Sequence, residues 1–172
     1  MSQTKIDYFK FKRNFNLFNT LLKKPKTVDT FIDDINEIVF GNITAPLYIT
    51  VITNPFCGHC KSVHSLVEDI LKKHPKEVQI CVRFNVNTSD PENEVVKTTS
   101  RLLEIYQTDA LACLDAMHDI YGGMTTENWL RKWENCYEKE EYISVLNKES
   151  AWCKNNTINF TPEILINGKS FP

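Results

Sequence analysis

Apolar and polar positions along this 172-residue chain change period several times, and each change marks a predicted element. Residues 5 to 24 place Phe11, Phe15, Phe18 and Leu22 on one helical face, with Leu17 and Leu21 beside them, and end in the basic run Lys23-Lys24-Pro25-Lys26. That spacing predicts an amphipathic helix, which can either pack on the rest of the domain or act as an interfacial linker with Phe and Leu below and Lys and Arg above. Residues 1–26 are therefore set apart from a main domain spanning 27–172. Glu37 to Phe40 reads as a short edge strand and Gly41-Asn42 as its turn. Leu47 to Thr53 is β-branched, nearly uninterrupted and too short for a helix, which predicts a buried parallel strand. Val63, Leu66, Val67, Ile70 and Leu71 then recur at helical spacing up to His74-Pro75, and Val78 to Val86 is strand-like again, completing a β-α-β unit.

From Asp90-Pro91, read as an N-cap followed by proline at the first helical position, the pattern is helical to about residue 156. One stripe is Val95, Thr99, Leu102 and Tyr106; a second is Ala110, Leu114, Met117 and Tyr121, stopped by Gly122-Gly123. Trp129, Leu130 and Trp133 make a third, and Tyr142, Val145, Leu146, Trp152 and Cys153 a fourth. No period repeats, so these are an inserted helical subdomain and not a solenoid, and the three tryptophans read as core. A last strand runs into Asn167-Gly168, the strongest short hairpin signal. With the chain ending at Pro172, the returning strand and a closing helix are expected to be missing.

Composition narrows the function classes. A chain with 42% hydrophobic residues, 24% charged residues and only 5 Gly and 7 Pro is globular, not low-complexity. Twenty Lys and Arg against 22 Asp and Glu leave a formal charge of −2, so there is no basic excess to neutralise a phosphate backbone and general nucleic-acid binding is excluded. The longest apolar run, Leu47 to Thr53, is far short of the roughly 20 residues that span a bilayer. Met1 to Phe15 has no continuous apolar stretch and is not a secretory signal, so the chain is read as cytosolic or as a piece of a longer protein.

The chemistry lies in Cys57-Gly-His-Cys60, placed where a strand hands over to a helix. A helix N-terminus offers partial positive charge and free N–H groups, both of which favour thiolate over thiol at Cys57. His59 is expected to add a second positive or hydrogen-bonding group. Two intervening residues bring the sulfurs within bonding reach, so Cys57 can exchange with a partner while Cys60 resolves the mixed disulfide. A stabilised thiolate makes the disulfide easier to reduce, which suits a pair that gives its disulfide away.

These residues resemble a known family. The order strand, Asn54-Pro55-Phe56-Cys57-Gly58-His59-Cys60-Lys61, helix, strand, helical insertion and Thr161-Pro162 before another strand is similar to the α/β thioredoxin fold with the helical insertion of bacterial DsbA-type thiol oxidoreductases, over about residues 36 to 168. More narrowly, the basic aromatic N-terminal stretch, Gly41-Asn42 with Ala45-Pro46, and Thr-Pro-x-x-x-x-Asn-Gly resemble the thioredoxin-like domain fused to vitamin K epoxide reductase-like membrane domains in some bacteria. The resemblance implies a cis-proline at Pro162 and a substrate groove lined by Thr161, with Phe56 and Gly58 beside it. Substrate proteins carrying cysteine thiols are the implied partners. The pair would be reoxidised by a membrane domain that passes electrons to a quinone, on the periplasmic or extracytoplasmic side, with the chain tethered to the membrane through residues 5 to 26. No cofactor and no metal are implied. One departure stands out: the buried acid that many thioredoxin relatives carry six residues before the first cysteine is Val51 here. The proton route to the resolving cysteine then falls to water or to His59.

Alternatives remain open at this stage. The same residues could run as a cytosolic reductase, or the fold could be a non-enzymatic adaptor. CxxC is also half of many zinc sites, with His64 as a possible third ligand, but no second cysteine pair follows. Pro162 could be an ordinary trans proline opening a strand. Cys81, Cys113, Cys136 and Cys153 read as small core hydrophobes, or as a structural bridge among the last three. Arg83 either approaches the site or is a solvated strand-end charge. His118 and Glu138-Lys-Glu-Glu141 read as helix surface.

Overall fold

The computed structural model describes residues 27–170. The expected amphipathic helix within residues 5–24 lies outside them. A five-stranded sheet has the order β1-β3-β2-β4-β5, with β1 at Ile38–Gly41, β2 at Leu47–Thr53, β3 at Val78–Phe84, β4 at Glu163–Ile166 and β5 at Lys169–Ser170. β2 and β3 are parallel and the other pairings antiparallel. The helices are α1 at Cys60–Lys73, α2 at Glu94–Thr108, α3 at Ala110–Tyr121, α4 at Thr126–Trp133 and α5 at Lys139–Asn155.

Strand alternation divides the core. Ile49 and Val51 of β2 and Val78 and Ile80 of β3 meet Val67 and Ile70 of α1, while Val82 and Phe84 continue that face toward the buried side chains of α2 to α5. Thr50, Ile52, Cys81 and Arg83, one residue out of step, point to the opposite face, where Ile52 and Leu165 pack with Trp152 and Cys153 of α5. The four expected insertion helices are all present and Trp129 is fully buried, donating from Nε1 to the Ala116 carbonyl at 2.8 Å.

Side-chain caps set the starts of three of these helices. Asn93 Oδ1 accepts from Val95 N, Asp109 from Ala112 N and Thr125 from Asn128 N. The start of α2 therefore differs from the Asp90-Pro91 expectation: Asp90 caps a turn by accepting from Glu92 N, and the helix begins four residues later. α1 has no side-chain cap and no acid in its first turn.

The hairpin expectation also needs correction at the chain's end. Asn167 and Gly168 have φ of 48° and 80°, the left-handed pair that a two-residue reversal requires, and β5 returns to pair Leu165 with Ser170 and Ile166 with Lys169. Two residues suffice because the turn is itself anchored: Tyr48 N donates to Asn167 Oδ1 at 2.9 Å and Asn167 N to Tyr48 O at 2.8 Å. The closing strand is thus present in short form, and no helix follows it within the described residues. At the other edge, Gly41 has φ of 88° and a Cβ there would stand 2.3 Å from the Val78 carbonyl oxygen, so the turn after β1 needs glycine.

Candidate active site

β2 ends at Thr53 and the chain turns through Asn54 to Cys57, with Asn54 Oδ1 accepting from Phe56 N and Cys57 N donating to Asn54 O at 3.0 Å. Cys60 N donates to Cys57 O at 3.1 Å and starts α1. Cys57 therefore sits half-buried just ahead of the helix, and Cys60 is fully buried in its first turn. The sulfurs lie within hydrogen-bonding reach of each other and both are thiols.

The Thr161–Pro162 peptide is cis, and Thr161 meets Cys57 in two ways. Its carbonyl accepts the Cys57 thiol hydrogen at 3.2 Å, and its hydroxyl, the largest influence on the group, holds the Cys57 pKa below its ordinary value. Desolvation opposes that effect, while the Cys60 thiol and the backbone N–H groups of His59 and Cys60 reinforce it. Both amides lie at the start of α1, where no side-chain cap competes with the sulfur for them. At Cys60 the balance reverses: burial raises the pKa, partly offset by a side-chain hydrogen bond from Thr53, by the Asn54 backbone and by the Thr161 hydroxyl.

The expected site residues separate into groups. Cys57, Cys60, Thr161 and Pro162 come together. His59 contributes through its backbone N–H, and its side chain is exposed. Phe56 is 42% exposed and, with Gly58, lines a groove of about 430 Å³ bounded also by Pro55, Lys61, Met124 and Thr126. The groove also runs along the end of α3 and the start of α4, at Tyr121 and Thr126. A larger hollow, about 720 Å³ between β1, α1 and α3, lies away from the cysteines.

Arg83 is neither at the site nor solvated. It is 2% exposed on the opposite sheet face, where Nε and Nη2 bind Glu37 at 2.8 and 2.6 Å, Nη2 also donates to Thr30 O, and the guanidinium lies 4.3 Å from the Trp152 ring centre. Among the described residues no three His, Cys, Asp or Glu side chains are grouped to hold a metal, so His64 does not complete a site with the cysteines. It stacks on the Tyr121 ring with centroids 4.5 Å apart, and its Nε2 is 2.6 Å from Glu68 Oε1. His118 is exposed, as expected, yet its Nδ1 meets both Glu68 oxygens at 3.0 Å. Cys113, Cys136 and Cys153 are buried free thiols whose pKa is pushed up to about 12, chiefly by burial.

Two features went unread in the sequence. Thr53 and Tyr121 join hydroxyls at 2.7 Å beside Cys60. Glu149 is fully buried beside Glu37 and Arg83. Its spacing was the signal, because 142, 145, 149 and 152 form one helical stripe and Glu149 is the polar member among Tyr142, Val145 and Trp152.

No curated protein matches the chain. Among solved structures, the catalytic domain of ScsC from Proteus mirabilis aligns with a TM-score of 0.66 at 17% identity, covering 81% of this chain and 82% of that one. BdbD from Bacillus subtilis gives 0.63 at 16%, covering 86% and 89%. The thiol-disulfide exchange protein alpha-DsbA2 from Wolbachia pipientis gives 0.65 at 14%, covering 80% of each chain. The fold is therefore the DsbA-type thioredoxin fold. Residues 33–172 match the sequence profile of the thioredoxin family, and the chain belongs to that family.

Proposed function

We propose that this protein is a thiol-disulfide oxidoreductase that gives its disulfide to substrate proteins, with Cys57 as the exchanging sulfur and Cys60 as the resolving one. The observation that carries this reading is the setting of Cys57, a half-buried sulfur facing the Thr161 hydroxyl and two helix-start amides, with an open groove at its flank. A substrate thiolate attacks Cys57 Sγ of the oxidised pair. The Cys57–Cys60 bond breaks, its electron pair leaves on Cys60, and Cys60 takes up a proton. A second substrate thiolate attacks the substrate sulfur of the mixed disulfide and releases Cys57 as thiolate. The substrate has lost two electrons and the pair has gained them. Stabilising the Cys57 thiolate stabilises the reduced pair, which favours donation over a reductase role.

Thr161, Pro162, Phe56 and Gly58 form the docking surface in this reading. Phe160, 80% exposed immediately before Thr161, adds an apolar contact next to the sulfur. Reoxidation by a quinone-linked membrane partner of the vitamin K epoxide reductase type, outside the cytoplasm, is the finer proposal. Its support is the sequence resemblance and the fold shared with a periplasmic thioredoxin-like protein from Salmonella enterica serovar Typhimurium.

The test is trapping combined with a potential. Cys60→Ala should accumulate covalent partners through Cys57, and the Cys57/Cys60 pair equilibrated with glutathione should prove more oxidising than thioredoxin, whose potential is about −270 mV. A value at or below thioredoxin's would assign the reductase direction. Absence of any mixed disulfide would remove the enzymatic reading.

A further inference from the structure

Val51 leaves Cys60 without the neighbouring acid expected of many thioredoxin relatives, and the structure holds another group in that neighbourhood. Thr53, two residues further along β2, points to the same face of the sheet as Val51, and its hydroxyl reaches the Cys60 sulfur. Thr53 Oγ1 and Tyr121 Oη are 2.7 Å apart and buried. Each hydroxyl has one hydrogen to give. If Thr53 donated to Tyr121, the buried tyrosine hydrogen would have no acceptor among the described contacts. If Tyr121 donates to Thr53, the threonine hydrogen is free for the sulfur, and both are satisfied. The Tyr121 ring is held from behind by His64, stacked at an interplanar angle of 9° and one helical turn beyond Cys60.

We infer that Thr53 and Tyr121 are positioning residues for Cys60: Tyr121 donates to Thr53, and Thr53 thereby presents its hydrogen to the resolving sulfur, preparing it as thiolate. The inference rests on the exchange reaction proposed above and concerns the return step that reoxidises the pair. In a mixed disulfide between Cys57 and an oxidant's sulfur, the Cys60 thiolate attacks Cys57 Sγ. The Cys57–Cys60 bond forms, the bond to the oxidant's sulfur breaks with its electron pair leaving on that sulfur, and the proton given up by Cys60 ends there through solvent. The pair is oxidised and the oxidant reduced. Around the two hydroxyls the titratable groups are Cys57 and Cys60 at the site, Cys113 within α3, and His64 of α1 with Glu68 and His118 beyond it. Thr161 has a single hydroxyl hydrogen within reach of both sulfurs, so it serves one at a time.

A lost hydrogen bond of ordinary strength lowers the thiolate population about tenfold, and the more basic thiolate that remains recovers roughly threefold through its greater nucleophilicity. The net expectation is therefore a resolving step about threefold slower. The experiment mixes reduced protein rapidly with glutathione disulfide, quenches in acid and follows the glutathionylated species by mass across pH. In Thr53→Val that species should accumulate and decay about threefold more slowly relative to its formation at neutral pH, with the profile of decay displaced to higher pH. Tyr121→Phe should move in the same direction, and Thr53→Ser should restore the wild-type profile. Wild-type decay in both Thr53→Val and Tyr121→Phe would overturn the inference, as would a Thr53→Ser variant as slow as Thr53→Val. If Thr53→Val does not fold, Tyr121→Phe decides alone. Wild-type protein that never forms the Cys57 mixed disulfide would instead overturn the exchange reaction itself, a result distinct from either.

Discussion

The two faces of the central sheet solve the burial of polar groups in opposite ways. On the α1 face the groups near Cys60 are neutral hydroxyls and amides: Thr53, Tyr121, the Asn54 backbone and Thr161. On the α5 face they are ions: Arg83 forked onto Glu37, with Glu149 buried beside them. Ile52 and Thr53 are consecutive, so one residue of strand separates the two environments. Neutral donors adjust a sulfur without placing a fixed charge next to a reaction that creates and removes charge, whereas a full ion pair is kept where no chemistry occurs. The comparison implies that the faces can be perturbed separately.

The largest separation should come from Cys57→Ser. Scrambled-RNase reactivation should fall to the uncatalysed level while the urea midpoint of the reduced protein stays close to wild type, since the sulfur is a half-buried exchanging group and not a core member. Next, Glu37→Ala should strike the other face. It strands the Arg83 guanidinium at 2% exposure, and loss of one partner of a buried pair costs about 3–5 kcal/mol. The denaturation midpoint should drop accordingly, with the alkylation rate of Cys57 unchanged. A matching loss of Cys57 reactivity in folded protein would break the comparison.

Glu149 sharpens it through pH. Burial first, then the Glu37 carboxylate, pushes its pKa well above the ordinary 4.5, with Arg83 opposing. A carboxyl raised on folding is tolerated fully below its unfolded pKa and costs stability as pH rises toward its folded pKa. Glu149→Gln should therefore stabilise the protein by roughly 1–3 kcal/mol at pH 7, with the gain vanishing below pH 4.5. Chemical denaturation at both pH values measures this, and a gain of equal size in acid would contradict the assignment. The smallest effect belongs to Thr161→Val, which keeps the carbonyl but removes the hydroxyl. Alkylation of Cys57 at neutral pH should slow roughly threefold, with its pH profile moved upward.

Much of this was legible in the residues. Cys57-Gly-His-Cys60 between a β-branched run and a 3.6-period run located the site, and Asn167-Gly168 located the hairpin, because both signals are local. What was lost depended on contacts distant in sequence. Arg83 looks like a strand-end charge until Glu37, 46 residues away, is seen to neutralise it. Tyr121 belongs to an ordinary apolar stripe until Thr53, 68 residues away, meets its hydroxyl. His59 invited a charge argument from its side chain, but the first turn places its backbone amide on the sulfur and its ring in solvent. The short β5 was unexpected because turn anchoring by Tyr48, 119 residues from Asn167, does not show in local propensity.

The most direct test is the pH dependence of Cys57 alkylation in the fully reduced protein, with Cys60 replaced by alanine in a parallel sample to identify the reacting sulfur. The midpoint is expected below the ordinary thiol value of 9.0, because the Thr161 hydroxyl, with the Cys60 thiol and the helix-start amides, outweighs desolvation. A midpoint at or above 9.0 in folded protein would contradict the activated thiolate on which the proposed exchange depends.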